Sequence, residues 1–406
     1  MSMATSSVAV FALLATATLA RAQQPRIRML SEQEMIDIMQ GSSIQASRSS
    51  DTANLIGRVK EAIAQGRIFR MIALEDVPDD WMVVVSTGIG GGGAWQHVRD
   101  RAEKQGLAVI QDPPVQAVET LSRHIGQRFR GVVRSEAGGS TLNAFLLAST
   151  LNVPVIDACV TGRAVPEVQQ SIPFINGVPA APAAMATRWG DSLVIDRLQD
   201  AYRLEDLARA VAVASGGGAS LAYNPMSGRE VKHRVIPSDV SRAMSLGRAL
   251  REARERGQDP IAALLKASGG FELFRGVVRK ADTRGEQGFT YWDVELAGSG
   301  AYVRRTYRIW VKNENLLGWM DGVPDAMTPD LIINLDPATG DTLVGPSLGG
   351  YELGKQVTLV SIPAHAMWRT PSGIEAMGPR HFGFAFDYVP VEELQRRRGR
   401  PARPKF

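Results

Sequence analysis

The 406-residue sequence contains a single cysteine, Cys159. One cysteine excludes an internal disulfide framework and a zinc site built only from cysteines. No uncharged apolar run reaches the roughly 20 residues that a membrane-spanning helix needs, and the sequence has no HExxH, GxSxG or P-loop motif. These absences leave an ordinary globular composition, with no membrane span and none of the common hydrolase or nucleotide signatures.

The formal net charge of +4 belongs to the two ends of the chain. Residues 1–28 carry three positive charges and residues 396–406 (RRRGRPARPKF) carry six, with no acid in either segment, so residues 29–395 have a net charge of −5. A basic tail without interleaved aromatic residues is typical of a solvated segment. We therefore predict a disordered tail over residues 393–406 and no nucleic-acid partner.

The N-terminal segment 1–28 has two interpretations. The uncharged run Val8–Ala20 precedes a small-x-small pattern at residues 20–22, as in a secretory signal over residues 1–22. No Lys or Arg precedes that run, however, and Met29 stands where a helix-like segment opens, as expected for an unused upstream start. We favour a cytoplasmic protein and keep export as the alternative.

The length favours two domains of about 100–200 residues each. Strand-like apolar runs alternate with helical patterns between residues 54 and 197, which predicts a layered α/β domain with a parallel sheet over residues 29–197. From Phe271 the apolar period changes to two, with turn residues between the candidate strands. We therefore predict a second, α+β domain over residues 198–392 that ends in an antiparallel sheet or small barrel.

Three predicted strands are each followed by a loop with unusual residues: MVVVS and a glycine-rich run (82–93), GVVRS and Glu-Ala-Gly-Gly (131–139), and VPVI and Asp-Ala-Cys (153–159). Ligands of open parallel sheets bind outside the carboxyl ends of the strands. If these strands are neighbours, Glu136, Asp157 and Cys159 converge on one crevice. The sequence therefore predicts the functional site at this edge of the sheet.

Two carboxylates and a thiol are the candidate catalytic groups. Glu136 and Asp157 have the chemistry to transfer protons or to hold a divalent metal such as zinc, while capping or pairing with an arginine is the structural alternative for each. Cys159 becomes a nucleophile if a nearby guanidinium lowers the pKa of its thiol. Free cysteines are otherwise mostly inert and buried.

The glycine pairs and runs have a functional and a structural interpretation. Gly138 and Gly139 open a predicted helix, where their amides can bind an oxyanion or simply form a tight turn. Gly88, Gly90 and Gly93 match GxGxxG, but no acidic residue follows at the spacing of a dinucleotide site. We therefore expect a flexible wall that lets a ligand approach the backbone.

Seven stretches of the sequence form a recognisable set: 136–139 with Asn143, 153–170 (VPVIDACVTGRAVPEVQQ), 177–183 (GVPAAPA), 313–319 (NENLLGW), 328–336 (TPDLIINLD), 368–371 (WRTP) and 378–392 (GPRHFGFAFDYVPVE). Together they resemble the S-methyl thiohydantoin desulfurase-like family, from about Leu30 to Val391. Members of this family are often encoded beside hydantoinase and oxoprolinase subunits.

The resemblance implies a hydrolase-type enzyme that acts on a hydantoin- or thiohydantoin-like five-membered ring, by nucleophilic addition–elimination at a ring carbon. In such a reaction Glu136 or Asp157 would activate water, and Cys159 would be a covalent nucleophile or a space-filling residue. The substrate-binding candidates are Gly138, Gly139, Asn143, Arg163 and Glu167, with the Arg163 guanidinium suited to a substrate carboxylate.

The sequence also departs from the family pattern. The usual Asp-Ala-Asp-Gly-Met-Gly-Arg is here DACVTGR (157–163), so Cys159 replaces an acid inside the predicted site. A replaced acid indicates a changed substrate, a changed mechanism or a lost activity. The alternative function is therefore a non-catalytic partner subunit of a hydantoinase- or oxoprolinase-type complex, and a homo-oligomer is also open.

Overall fold

The computed structural model describes residues 25–47, 51–90, 96–343 and 350–398. These residues form two sheets, one mixed and one antiparallel, in two domains. The larger, nine-stranded sheet contains β1 (Ile27–Met29), β2 (Arg70–Ile72), β3 (Met82–Gly90), β4 (Phe129–Arg134), β5 (Val155–Cys159), β6 (Ala183–Thr187), β7 (Ser192–Ile195), β8 (Gly218–Ser227) and β9 (Ile236–Pro237).

The smaller sheet is an antiparallel half-barrel, which confirms the expected antiparallel sheet in the second half of the chain. Its seven strands follow the order β14-β13-β12-β11-β10-β16-β15. They are β10 (Phe271–Glu286), β11 (Phe289–Gly298), β12 (Thr306–Lys312), β13 (Glu314–Met320), β14 (Val323–Met327), β15 (Leu331–Leu335) and β16 (Gln356–Ile362).

The described residues also form twelve α-helices. They are α1 (Glu32–Gln45), α2 (Thr52–Ala64), α3 (Gln96–Gln105), α4 (Pro113–Ile125), α5 (Gly139–Leu151), α6 (Ile172–Ile175), α7 (Ala201–Ala214), α8 (Gly228–Arg234), α9 (Asp239–Glu255), α10 (Pro260–Ser268), α11 (Pro371–Met377) and α12 (Val391–Arg397). No helix among these described residues is long and apolar enough to cross a membrane.

The larger sheet confirms the predicted parallel core. β3, β4 and β5 are adjacent, and both of these pairs are parallel. Their apolar side chains are buried on both faces, since one hydrophobic cluster joins Val84 and Val132 to helices α1, α2, α4 and α5. A second cluster joins Val83 and Val133 to α7 and α8. Helices on both faces explain why these strands read as continuous apolar runs.

The larger sheet also takes strands from beyond residue 197. β8 pairs antiparallel with both β3 and β6, and β9 pairs with β5. β8 is buried along Ala219–Asn224, so it serves as an interior strand of the sheet. Residues that the sequence assigned to the second domain therefore complete the sheet of the first.

At both ends of the chain, the structure gives regular secondary structure to residues that the sequence assigned to a terminal segment. Residues 27–29 form β1, which pairs with β2, although they were expected to lie in or beside the N-terminal segment 1–28. Residues 393–397 belong to α12, because Gln395 is buried and its Nε2 donates to Asp325 Oδ1 at 2.7 Å. The signal-like segment 1–22 and residues 399–406 lie outside the described residues.

Helices α1 and α9 approach each other to backbone contact. α1 begins in a capping box, in which the Ser31 and Glu34 side chains satisfy each other's backbone amides. Farther along, a Cβ added at Gly41 would overlap the Ala243 carbonyl of α9, and one added at Gly247 would overlap the Asp37 carbonyl of α1. Glycine at these two positions therefore sets the distance between the helices.

We predict that Gly41→Ala and Gly247→Ala each destabilise the protein by about 1–3 kcal/mol, because the added methyl group forces the two helices apart. Urea unfolding followed by circular dichroism measures this change. Gly57→Ala is the matched control, because Gly57 lies inside α2 with no atom near its missing Cβ. That control should stabilise the protein by about 0.5–1 kcal/mol, and the same gain at Gly41 would contradict the close approach.

Candidate active site

A cleft of about 300 Å³ opens at the carboxyl ends of β3, β4 and β5, opposite the smaller sheet. This is where open parallel sheets bind ligands. Loops after the strands form one wall, and turns of the smaller sheet form the other. The lining residues are Thr87, Gly88, Ile89, Gly90, Ser135, Glu136, Thr161, Val165, Pro166, Glu167, Val168, Arg209, Tyr223, Gly288, Thr290, Asn313 and Glu314.

Glu136 is the predicted catalytic carboxylate that lines this cleft. It lies two residues after β4, in the turn that leads into α5, where Gly138 has a φ of +79° that suits glycine. The Val165 amide donates to Glu136 Oε2 at 3.1 Å, and the Ser140 hydroxyl donates to Oε1 at 3.1 Å. Burial nevertheless raises the pKa of Glu136, because two neutral donors do not replace its hydration.

Asp157 lies outside the cleft, at the N-terminus of α9. Its carboxylate accepts from the Ser241 amide at 2.9 Å and from the Ser241 hydroxyl at 2.5 Å. The side chain is buried, and the amide it binds belongs to the first turn of the helix. The structure thus places Asp157 where it caps α9 and does not bring it together with Glu136.

Cys159 is fully buried beneath the cleft and does not line it. The amides of Thr161 and Gly162 donate to its Sγ at 3.4 Å and 3.1 Å. Burial raises the pKa of the Cys159 thiol, although Arg134 acts in the opposite direction. A buried, neutral thiol is a poor nucleophile, so this geometry favours the space-filling alternative.

The predicted oxyanion and amide groups of α5 also have other partners. The Gly138 amide donates to Ser42 Oγ at 2.8 Å, and Gly139 is the first residue of the helix. Neither glycine lines the cleft. Asn143 is exposed on α5, where its Oδ1 accepts from Arg58 Nη2 at 3.3 Å in a separate surface groove. The structure therefore does not bring these three residues to the cleft.

Arg163 connects the loop after β5 to the second domain. Its Nε donates to the Ala164 carbonyl at 2.9 Å, and its Nη1 donates to the Pro329 carbonyl at 2.6 Å. Burial lowers the pKa of Arg163 to about 10, although Glu314 and Asp330 act in the opposite direction. The guanidinium is buried outside the cleft lining and is not placed to bind a substrate carboxylate there.

Glu167 lines the cleft and lies at the centre of an ion cluster between the domains. Its carboxylate accepts from Lys312 Nζ, from Gln169 Nε2 at 2.5 Å and from His381 Nε2 at 2.8 Å. Burial by itself would raise the pKa of Glu167, but the hydrogen bonds from His381 and Lys312 lower it overall. Glu167 is therefore an ionised residue that fastens the cleft wall to the smaller sheet.

The cleft also contains residues that sequence reasoning did not select. Arg209 on α7 donates from Nε to Glu205 Oε1 at 2.8 Å and from Nη1 to the Gly90 carbonyl at 2.6 Å. Tyr223 comes from β8, next to β3. Nothing local in the sequence marks these two residues, whereas Asn313 and Glu314 open the stretch NENLLGW that carried the family resemblance.

The glycine-rich run forms part of the cleft wall. Gly88 and Gly90 lie inside β3, in register with Ser220 and Gly218 of β8, so the described part of the run belongs to a strand ladder. Both glycines line the cleft as the predicted wall, but they do so within a strand ladder and not as a flexible loop. Gly93 lies outside the described residues.

The described residues contain no group of three His, Cys, Asp or Glu side chains arranged to hold a metal ion. Zinc sites in enzymes use three such ligands and leave one position open. In the cleft, Glu136 accepts from an amide and a hydroxyl, and Glu167 accepts from Lys312 and His381. These carboxylates do not fit a divalent metal such as zinc, and we assign no chemical step to a metal.

The fold and the cleft define a two-domain α/β protein with a ligand-sized site at the ends of its parallel strands. Two family models, described as the N-terminal and the C-terminal domain of S-Me-THD-like proteins, match residues 33–197 and 199–391. The chain therefore belongs to the S-Me-THD-like family, which confirms the resemblance found in the sequence.

One solved structure has a similar fold. It is the X-ray crystal structure of a protein from Chromobacterium violaceum, which is 21% identical in sequence and superposes with a TM-score of 0.69. The similarity covers 90% of this chain and 100% of that one. No curated protein matches this chain significantly. At this identity the crystal structure supports the fold alone.

We predict that Glu136→Gln stabilises the protein at neutral pH. The folded-state pKa of Glu136 is raised, so its contribution to stability is fully present below the ordinary glutamate pKa of 4.5 and is lost as the pH rises through the folded value. Glutamine keeps the acceptor for the Val165 amide and does not ionise. The difference in Tm between variant and wild type should therefore grow as the pH rises from 4 towards 8, whereas a lower Tm for the variant at every pH would contradict the raised pKa.

Proposed function

We propose that this protein hydrolyses a hydantoin- or thiohydantoin-like ring in the cleft, with Glu136 as the general base. The family to which the chain belongs is thiohydantoin-related by name. The observation that carries the proposal is the Glu136 carboxylate, which lines a cleft at the ends of parallel strands and has a raised pKa. A base whose pKa is raised towards the working pH is more effective at taking a proton.

The proposed reaction replaces a thioether on the ring carbon by oxygen. Water adds to the ring C=N carbon that carries the S-methyl group, its proton passes to Glu136, and the C=N electron pair moves to the ring nitrogen. The C–S bond then breaks, and the leaving thiolate receives a proton from the Glu136 carboxylic acid. As the C–S bond breaks, the added oxygen forms the C=O double bond, and its remaining proton passes to the ring nitrogen. The products are a ring with a carbonyl group at this carbon and methanethiol, so atoms and charges balance.

The proposal assigns the proton transfer to Glu136 alone. Asp157 accepts two hydrogen bonds from Ser241, and Cys159 is a buried thiol with a raised pKa. These contacts account for Asp157 and Cys159 as structural residues. The cleft volume of about 300 Å³ is at the lower end of ligand pockets, which suits a single five-membered ring with a small substituent.

We predict that the purified protein releases thiol from at least one ring in a panel of S-methyl thiohydantoins, measured with a thiol-reactive dye. Glu136→Gln should lower kcat/KM by about 10²–10⁴-fold, the usual contribution of a general base. Activity of the wild type should rise with pH as Glu136 loses its proton, through a pKa above the ordinary glutamate value. Failure of every ring, with and without added zinc, would contradict the proposal and favour the partner-subunit alternative.

Two matched variants separate Glu136 from the other predicted catalytic residues. Asp157→Asn keeps an oxygen that accepts from Ser241, so we predict at most about 1 kcal/mol of lost stability and activity within tenfold of the wild type. Cys159→Ala removes the thiol and should also retain activity within tenfold. A loss as large as that of Glu136→Gln in either variant would show that the catalytic residue is misassigned.

A further inference from the structure

Two hydroxyl residues line the cleft together with Glu136, and the described structure gives neither hydroxyl a hydrogen-bond partner. Ser135 precedes Glu136 in the chain, and Tyr223 lies on β8, the strand next to β3. Both residues line the cleft, and both are only 3% exposed. Buried hydroxyls without a hydrogen bond are uncommon, because leaving a buried polar group unpaired costs about 1–3 kcal/mol.

The Ser135 hydroxyl is a buried donor that no described residue accepts from. The backbone around it is fixed, since its carbonyl accepts from the Thr161 hydroxyl at 3.0 Å. The backbone thus sets the position of the Ser135 side chain, whose own hydroxyl makes no hydrogen bond with a described residue. An unpaired polar group in a cleft wall indicates that a ligand supplies the missing partner.

The Tyr223 ring lies beside that of Phe174, with the two centroids 5.9 Å apart and the ring planes tilted by 32°. Burial, together with the nearby Glu136 carboxylate, raises the pKa of Tyr223 far above the physiological range. The hydroxyl therefore keeps its proton and acts as a donor at every pH at which the protein works. Tyr223 lines the same cleft as Ser135, from β8, which is separated from β4 by β3.

The proposed reaction needs donors of this kind. When water adds to the ring C=N carbon, the negative charge moves to the ring nitrogen and is shared with the oxygen of the adjacent ring carbonyl. Two neighbouring acceptor atoms thus become more basic in the transition state. Fixed donors aimed at such atoms typically contribute more to catalysis than any other group.

We propose that the hydroxyls of Ser135 and Tyr223 form the anion-stabilising pair of this site, donating to the ring nitrogen and to the adjacent carbonyl oxygen of the substrate. In this proposal the two hydroxyls have the anion-binding role that the sequence suggested for the Gly138 and Gly139 amides. The Gly138 amide instead donates to Ser42. This inference rests on the proposed function and adds the residues that bind the developing charge.

Ser135→Ala and Tyr223→Phe test the pair, with thiol release from S-methyl thiohydantoin as the assay. Each should lower kcat by about 10²–10³-fold with little change in KM, because the donors act mainly on the charge of the transition state. Neither should lower Tm, since each removes a hydroxyl to which the described structure gives no hydrogen-bond partner. Ser171→Ala is the control, because Ser171 also has a buried, unpaired hydroxyl but lies outside the cleft.

Three results bear on the inference. A large loss of kcat in both variants, with an unchanged Ser171→Ala protein, supports it. Unchanged kcat in both variants, beside a Glu136→Gln protein that is inactive, overturns the inference and leaves the proposed function intact. A fall in Tm that matches the fall in activity overturns it as well, because the hydroxyls would then be structural.

Binding decides the inference if the wild type turns over no ring and the proposed function fails. Hydantoin, whose carbonyl oxygens offer acceptors in a ring of the same size, is then titrated by calorimetry into the wild type and the Ser135→Ala/Tyr223→Phe double variant. The inference predicts binding at least tenfold weaker in the double variant. Equal binding by the two proteins, or no binding by the wild type, overturns it.

Discussion

The buried ion pair between Arg134 and Asp239 fixes the edge of the sheet on which the cleft is built. Both side chains are completely buried. Arg134 ends β4 and also donates to Gln45 Oε1 of α1 at 2.9 Å and to Thr141 Oγ1 of α5 at 2.8 Å, while Asp239 begins α9. One guanidinium therefore holds three helices against one strand end. Removing a single partner of a buried pair typically costs about 3–5 kcal/mol, because the other charge is left buried and unpaired. The arrangement therefore depends on both Arg134 and Asp239.

The ion pair between Arg134 and Asp239 also fixes the position of residues that line the cleft. Ser135 and Glu136 directly follow Arg134, so their positions are fixed by a residue that does not itself face the ligand. Asp157 strengthens the same frame by capping α9, the helix that supplies Asp239. The polar residues nearest the site thus divide into a buried frame, whose side chains bind one another, and a cleft lining in which the Ser135 hydroxyl has no partner among the described residues.

Much of the fold was predictable from the sequence, because the strands of the parallel core are continuous apolar runs separated by segments with helical periodicity. The position of Glu136 followed as well, since it comes after its strand ends. Asp157 and Cys159 did not, because β5 extends through both of them and their side chains are buried outside the cleft lining. The place of Tyr223 in the cleft could not be predicted from the sequence, because it depends on the pairing of β8, from the second half of the chain, with β3.

The central claim is that the ring lies beside Glu136 at the ends of the parallel strands. A crystal structure of the Glu136→Gln protein with S-methyl thiohydantoin tests it most directly. The account predicts the ring in the cleft, with the sulfur-bearing carbon facing residue 136 and the ring acceptors within hydrogen-bonding distance of Ser135 and Tyr223. A ring bound elsewhere, or seated against Asp157 or Cys159, would contradict it.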